Sequence, residues 1–292
     1  QPEAIFTVAH RFSWLTAAAL AERYQIPLHL IVHDDWPSLC PVVPWLKARA
    51  NQRLGDVYRQ ATSRFCVSPY MMEKYQKRYG VTGSVLYPSR GEEVSTEKHP
   101  GKLKSSSNSL VFVYAGSLHL KGYLTALATL ASVLENFGCS LIIYSSLTGA
   151  VIEKHGLQRS NVTVRSFIPE SELISTLVRE ADFLFVPMTF EVKWREHMSL
   201  SFPSKLTDYT ATGLPLLIFG PPYCSAVRWA RENPGVAEVV DQEDTQELTM
   251  AVERLCQDPA YRSRLGAHAS TKGQEYFSHA AVTQKFYHRI CP

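Results

Sequence analysis

The sequence lacks the apolar runs and cysteine patterns that mark membrane proteins and disulfide-rich proteins. No stretch approaches the roughly 18 consecutive apolar residues that a transmembrane helix needs. Six cysteines are scattered over 292 residues, and none belongs to a CxxC pair. This usage is typical of thiols that serve as small apolar side chains in a reducing compartment. We therefore expect a cytoplasmic protein without a disulfide framework.

Several common catalytic and binding motifs are also absent. GxSxG and HExxH do not occur, which removes the nucleophile elbow of α/β-hydrolases and the commonest zinc peptidase pattern. Neither a P-loop nor GxGxxG is present. The aspartates of His33-Asp34-Asp35 have no third ligand at metal-binding spacing, so we predict no metal site. A formal net charge of +3 is too small to indicate nucleic acid, but it leaves room for a local phosphate site.

The chain does contain a regular alternation of strand-length apolar segments and helical segments. Residues 4–9, 27–32, 110–114 and 182–187 are examples of the predicted strands. Strands that alternate with helices at this spacing favour parallel, doubly wound sheets. Because 292 residues exceed the usual size of one domain, we predict an α/β protein with two Rossmann-like domains.

A polar segment separates the two predicted domains. Residues 91–109 are rich in Ser, Lys, Glu and Gly, which is typical of an interdomain connection, although a surface loop is equally consistent. We predict domains at residues 1–95 and 96–279. Residues 280–292 form a separate C-terminal helix in this prediction.

Residues 202–220 predict a short helix followed by a buried strand. Ser204 is a suitable N-cap, and Gly213 supplies the left-handed conformation that closes such a helix. Lys205 and Asp208 are three positions apart and share one helix face. Helix starts beside the strand ends of an α/β sheet often hold anions. A solvated surface ion pair is the alternative.

Polar residues follow three other predicted strands. Gly116, Ser117 and Lys121 come after residues 110–114, where a glycine lets backbone approach a ligand and a lysine can neutralise phosphate. An ordinary glycine turn with an unrelated lysine is the simpler explanation of these residues. Glu191 follows residues 182–187, and His33 follows the second strand, where hydrogen-bonded scaffold is the simpler explanation.

The order of these segments resembles the GT-B glycosyltransferases, in particular glycosyltransferase family 4. The second half resembles the donor-binding domain of that family, and the first half resembles the latter part of its acceptor-binding domain. The resemblance therefore implies a partial first domain, further residues before Gln1, and a last helix that crosses back to the first domain. The resembling segments of the second half are VYAGSLHLKG (113–122), SLIIYS (140–145), and residues 162–187, 202–221 and 239–259.

The resemblance also implies roles for individual residues. It implies donor binding by Gly116, Ser117, Lys121, Ser204, Lys205 and Asp208, with Lys121, Ser204 and Lys205 against the diphosphate. Asp208 matches the second of two family glutamates near the donor sugar and ribose, and Glu191 resembles the first. Sixteen residues lie between these two positions, so residues 192–202 look like an insertion. His33 matches a histidine that faces the reacting sugar from the acceptor side.

The function implied by the resemblance is transfer of a hexosyl group from a nucleotide sugar to a glycan or lipid-linked acceptor, as in polysaccharide biosynthesis. It implies retention of anomeric configuration without a metal, and no cofactor besides the donor substrate. Contact with the inner face of a membrane stays open, although no strongly basic amphipathic helix is evident. A sugar-nucleotide 2-epimerase of the same fold and a non-catalytic nucleotide-sugar-binding relative are the alternatives.

Overall fold

The computed structural model describes residues 2–39, 43–94 and 109–291. The predicted domain boundary between residues 95 and 96 lies outside the described residues, as does most of the predicted connection. Within the described residues the chain alternates strands and helices, as the sequence predicts.

Local sequence features explain where the elements up to residue 94 begin and end. Helix α4, for example, begins after Ser68, whose hydroxyl accepts the N–H of Met71 at 3.1 Å, and it ends at the left-handed Gly80. The elements are β1 (Ile5–Val8), α1 (Ser13–Tyr24), β2 (Leu28–Val32), α2 (Trp36–Leu39), α3 (Pro44–Gln60), β3 (Ser63–Cys66), α4 (Pro69–Tyr79) and β4 (Ser84–Val85).

The elements after residue 108 include two short helices that the sequence patterns did not indicate, α6 and α8. The elements are β5 (Val111–Ala115), α5 (Lys121–Glu135), β6 (Ser140–Tyr144), α6 (Gly149–Lys154), β7 (Val162–Arg165), α7 (Glu170–Glu180), β8 (Phe183–Pro187), a 3₁₀ turn (Val192–Trp194), α8 (Arg195–Leu200), α9 (Lys205–Tyr209), β9 (Leu216–Phe219), α10 (Ser225–Glu232), β10 (Glu238–Val240), α11 (Thr245–Gln257), α12 (Pro259–Phe277) and α13 (His279–Ile290).

The described strands form two parallel sheets, which confirms the predicted fold class. The first has the order β1-β2-β3-β4, and the second has the order β10-β9-β8-β5-β6-β7. Every residue of β8 and β9 is buried, as expected for apolar runs covered on both faces of a sheet.

The chain divides into two compact units. The first unit comprises Gln1–Ser89, Lys193–Phe202 and His279–Pro292, and the second comprises Arg90–Val192 and Pro203–Ser278. Helix α13 is thus part of the first unit. Residues 193–202 also belong to the first unit, whereas the predicted boundaries assign them to the second domain.

Specific side-chain contacts hold residues 193–202 within the first unit. The Ser68 hydroxyl donates to the carbonyl of Leu200 at 2.7 Å. Arg78 donates to the carboxylate of Glu196 at 3.0 Å. The predicted insertion is therefore a docked segment with its own helix, and pairwise contacts distant in sequence hold it there.

The core of the second unit lies beside the central strands. Phe112 of β5 and Phe183 of β8 stack with their ring centroids 4.3 Å apart. Leu127 and Leu130 of α5 and Val252 of α11 are fully buried in the same cluster. Because burial of each large apolar side chain contributes about 1.5–3 kcal/mol, this cluster fixes the carboxyl ends of β5 and β8 in position.

Candidate functional site

The second sheet changes the direction of its strand order between the neighbouring strands β5 and β8. From β5 the chain continues through β6 to β7, and from β8 it continues on the other side through β9 to β10. In open parallel sheets, ligands bind in the crevice at the carboxyl ends of two such strands. The candidate site therefore lies where β5 and β8 end, at Gly116 and Met188.

Gly116 gives Lys205 the space that it occupies beside the end of β5. Its φ of +144° is a conformation that residues with side chains rarely adopt. A Cβ atom at this position would lie 2.5 Å from Cε and 2.7 Å from Nζ of Lys205. The N–H of Gly116 donates to the carbonyl of Tyr144 at 2.9 Å. Gly116 thus leaves room for the Lys205 side chain and allows the backbone conformation at the site. Its own N–H is already used in a hydrogen bond of the sheet.

Lys205 presents a partly desolvated ammonium group at this edge. The side chain is half-buried, and its Nζ lies 5.0 Å from the ring centroid of Tyr114. Burial lowers the pKa of Lys205 to about 8, and the carboxylate of Asp208 acts in the opposite direction. Because the ammonium group has lost hydration, an anion placed beside it gains more interaction energy than it would at an open surface.

Asp208 lies one helical turn after Lys205 on α9. Burial raises the pKa of Asp208 to about 6, the positive charge of Arg90 lowers it, and Glu170 and Lys205 act more weakly. Near neutral pH the carboxylate is mostly ionised and able to accept hydrogen bonds. The predicted shared face of Lys205 and Asp208 is therefore a partly buried charged pair.

Arg90 lies behind this pair and was not recognised in the sequence. The side chain is only 3% exposed, and it donates to the carbonyl of Thr207 and to Oγ1 of Thr210, each at 2.8 Å. Burial lowers the pKa of Arg90 to about 10, and Asp208 opposes that effect. A Cβ at Gly273 of α12 would collide with the Arg90 guanidinium, so the glycine makes room for it. No local pattern around Arg90 signals these contacts.

A tyrosine fastens α9 to the end of β5. The hydroxyl of Tyr209 accepts the N–H of Ala115 at 2.7 Å and donates to the carbonyl of the same residue at 3.3 Å. Tyr209 is fully buried, so both bonds are shielded from water. Tyr209 thus holds α9 against β5. We call the four residues Gly116, Lys205, Asp208 and Arg90 the α9 site.

Ser204, Ser117 and Lys121 lie at the edge of this arrangement. Ser204 is the N-cap residue of α9, but it has helical backbone angles and its side chain makes no capping hydrogen bond, so the predicted capping role is wrong. Ser117 and Lys121 are exposed, and Lys121 is the first residue of α5. The carbonyl of Ser117 accepts the hydroxyl of Tyr114 at 2.8 Å. Their role toward a diphosphate stays a prediction.

Glu191 follows β8 in a crevice of its own. The half-buried side chain lines a cavity of about 90 Å³ together with Gly122, Thr189 and Asp244. Glu191 donates its N–H to Oγ1 of Thr189 at 3.2 Å. Neither Lys205 nor Asp208 lines this cavity. The structure thus brings Gly116, Lys205 and Asp208 together and gives Glu191 a neighbouring position on the same unit.

His33 belongs to the first unit, where it follows β2. Its side chain is exposed at the surface, yet the surrounding protein atoms lower the pKa of the imidazole, and Asp34 opposes that shift. The neighbouring Asp35 is fully buried and accepts Arg78 at 2.7 Å and the Tyr75 hydroxyl at 2.9 Å. Asp35 is therefore part of a buried ion pair of the scaffold.

Within residues 2–39, 43–94 and 109–291, no three His, Cys, Asp or Glu side chains are grouped closely enough to ligate a metal ion. No helix within these ranges combines the length and the apolar character that crossing a bilayer demands.

The sequence matches no protein family model and no curated protein. Among solved structures, the HepE protein of Anabaena, in complex with UDP and glucose, matches 99% of this chain and 77% of its own at 15% identity and a TM-score of 0.72. Sucrose-phosphate synthase of Thermosynechococcus elongatus matches 99% of this chain and 73% of its own, at 14% identity and a TM-score of 0.72. The α,α-trehalose 6-phosphate synthase of Burkholderia multivorans matches 98% and 71%, at 12% identity and a TM-score of 0.67.

These likenesses define the class of fold. The likeness extends over nearly the whole chain and covers both Rossmann-like units with their parallel sheets. The chain has the GT-B fold that its solved neighbours share, as the order of its sequence segments predicted.

Proposed function

We propose that this protein is a glycosyltransferase that takes its sugar from a nucleotide-sugar donor. The observation that carries the proposal is the desolvated ammonium of Lys205, held against Gly116 at the change of strand order in the second sheet. This position and charge suit the diphosphate of such a donor. The neighbouring structure of HepE contains UDP and glucose, which supports a nucleotide sugar as the ligand class.

The chemical requirement of the reaction explains the proposed role of Lys205. Transfer breaks the bond between the anomeric carbon and an oxygen of the diphosphate, so negative charge grows on the departing nucleoside diphosphate. A preorganised cation in a partly dry site stabilises that charge without a metal ion. In this proposal Lys205 supplies the cation, and Lys121, Ser117 and Ser204 add outer contacts to the phosphates.

The remaining predicted residues take roles around the donor. Asp208, ionised near neutral pH, accepts hydrogen bonds from the ribose hydroxyls. Glu191 contacts the donor sugar from the segment after β8, and His33 faces the reacting sugar from the acceptor side. We propose a hexosyl donor, retention of configuration, and a glycan or lipid-linked acceptor of polysaccharide biosynthesis in the cytoplasm, with peripheral membrane contact where the acceptor is a lipid.

Incubation with a panel of nucleotide sugars tests the reaction class. A glycosyltransferase slowly hydrolyses its own donor when no acceptor is present, so release of one nucleoside diphosphate from one member of the panel is the expected result. Lys205→Met should abolish this release. Lys272→Met, which removes a partly exposed lysine of α12 outside the proposed site, is the matched control and should leave it unchanged.

The same experiment separates the alternatives. Interconversion of the sugar without release of nucleoside diphosphate would indicate that the protein is an epimerase and not a transferase. Binding of a nucleotide sugar with neither outcome would assign the chain to non-catalytic binding. Failure to bind any member of the panel would contradict the proposal altogether.

A further inference from the structure

Two cysteines that the proposed function does not use lie against each other in the second unit. The Sγ atoms of Cys139 and Cys256 are 3.7 Å apart, within hydrogen-bonding distance for sulfur. Cys139 immediately precedes β6 and is buried, whereas Cys256 is in the last turn of α11 and is half-buried. An oxidant can therefore reach the pair from the Cys256 side.

The backbone around both sulfur atoms is well fixed. The N–H of Cys139 donates to the carbonyl of Leu134 at 3.0 Å. The guanidinium of Arg262 donates to the carbonyls of Leu255 and Cys256, each at 2.9 Å. The close approach of the two thiols is consequently a property of the packed elements, and a disulfide would need the sulfur atoms to close by only about 1.7 Å.

The geometry points to a reversible disulfide between Cys139 and Cys256, formed by exchange with a low-molecular-weight disulfide such as oxidised glutathione. The sequence spacing gives no sign of this pair, because the two residues come from distant elements. In a reducing compartment such a bond is a transient, redox-responsive modification, unlike the permanent disulfides of secreted proteins.

The two thiols divide the exchange between them. The hydrogen bond from Cys256 lowers the pKa of Cys139 and raises the pKa of Cys256, so Cys139 is the more acidic partner, while Cys256 is the one that an oxidant reaches. In the small fraction of molecules in which Cys256 has lost its proton to water, its thiolate attacks oxidised glutathione, forms a mixed disulfide and releases one glutathione thiolate, which takes up that proton. After the proton has left Cys139, its thiolate attacks Cys256 and releases the second. Two thiols are oxidised, and one glutathione disulfide is reduced to two thiols.

The bond would connect α11 to the turn between α5 and β6. Helices α5 and α11 both supply residues to the cavity that holds Glu191, namely Gly122 and Thr245. Because the bond closes a long loop of the second unit, it restricts the unfolded chain and should raise the melting temperature of that unit by on the order of 5–15 °C.

The test uses the full reduced chain, equilibrated with oxidised glutathione near neutral pH. Intact mass and non-reducing peptide mapping then report the state of each cysteine. The expected result is a Cys139–Cys256 crosslink with no glutathione retained on either of these two cysteines, and reduced glutathione reverses it. Cys139→Ser should instead trap a stable mixed disulfide of glutathione on Cys256. Cys256→Ser should leave Cys139 unmodified in the folded protein.

Cys291 and Cys224 of the wild-type chain are the internal controls. Cys291 is exposed and should accept glutathione at the same oxidant concentration, which shows that the oxidant is active. Cys224 is buried, and burial raises its pKa to about 12, so it should stay reduced. Glutathione on Cys291 with no Cys139–Cys256 crosslink would overturn the inference. A mixed disulfide on wild-type Cys256 that never resolves onto Cys139 would overturn it as well.

Discussion

At Lys205 the proposed function and the stability of the fold oppose each other. Burial lowers the pKa of this lysine from an ordinary 10.5 to about 8, which means that the folded protein disfavours its charged form. The energetic cost is fully present below about pH 8 and is relieved as the pH rises from about 8 toward 10.5. Such a cost is typical of a group that is kept for its ligand.

The first prediction concerns stability alone. Lys205→Met should stabilise the second unit near pH 7 by on the order of 1 kcal/mol, after allowance for partial exposure, because it removes a desolvated charge. The gain should fade as the pH approaches 10. Thermal unfolding over this pH range measures the effect. The control Lys272→Met should change the melting temperature little. If Lys205→Met lowers the melting temperature, the ammonium group supports the fold, and the prediction is wrong.

The second prediction is a pH profile for nucleoside diphosphate binding. Affinity should fall above about pH 8 as Lys205 deprotonates, and below about pH 6 as Asp208 becomes protonated. A bound diphosphate raises the pKa of Lys205, so binding near pH 8 should take up protons. Calorimetry in buffers of different ionisation enthalpy measures both effects.

Variants show how much of this pH profile comes from titration of protein groups and how much comes from titration of the ligand. The phosphates of the ligand also titrate near pH 6, so wild type alone does not assign the acidic limb. Asp208→Asn should remove only that part of the fall in affinity at acidic pH that is due to the protein. Lys205→Met should remove the fall in affinity at basic pH, which is the basic limb of the profile. A basic limb that persists in Lys205→Met would belong to another group.

The third prediction concerns Arg90 as a positioning residue for Asp208. Arg90→Met should destabilise the second unit by about 2 kcal/mol, because it removes two buried hydrogen bonds to α9. It should also raise the pKa of Asp208 and move the acidic limb of binding to higher pH. Arg90→Lys should restore the position of that limb in part. If Arg90→Met lowers the melting temperature but leaves the acidic limb of binding at the same pH, Arg90 has only a structural role.

At the scale of elements, the end of β5 and the start of α9 depend on one glycine. Gly116→Ala should destabilise the second unit by about 1–3 kcal/mol and weaken diphosphate binding, because the new methyl group displaces Lys205 from its position. Gly138→Ala is the matched control. Gly138 has a φ of +62°, in the left-handed helical region, and open space surrounds its Cβ position, so this variant reports the modest cost of an alanine at positive φ without the collision.

Melting curves and titrations of these two variants decide the fourth prediction. Gly138→Ala should lose about 1 kcal/mol of stability and keep its affinity for the diphosphate. An equal loss of affinity in both variants would mean that backbone strain, rather than the position of Lys205, controls binding.

Elements differ in how far their sequence reveals them. The strands β8 and β9 were predictable, because uninterrupted apolar runs of that length suit a buried parallel strand. Residues 192–202 look like an insertion in the sequence, because the attachment of this segment rests on Ser68 and Arg78, more than a hundred positions earlier. Local patterns carry no record of such distant pairings.

At the scale of the whole molecule, alternation of strands and helices was sufficient to predict two Rossmann-like units. The charged pair of α9 was also predictable, since Lys205 and Asp208 share a helix face by spacing alone. Arg90 and the Cys139–Cys256 contact were not, because each depends on elements that meet only in the folded unit. Sequence spacing therefore placed Lys205 and Asp208 on one helix face, and packing supplied the electrostatics of the two groups.

The central claim is that Lys205 holds the diphosphate of a nucleotide-sugar donor. Calorimetric titration of wild type, Lys205→Met and Lys272→Met with nucleoside diphosphates and the matching monophosphates tests it most directly. Wild type and Lys272→Met should bind one diphosphate more tightly than its monophosphate. Lys205→Met should lose at least about tenfold in diphosphate affinity, or about 1.4 kcal/mol, with a smaller loss for the monophosphate. Equal diphosphate affinity in wild type and Lys205→Met would contradict the account.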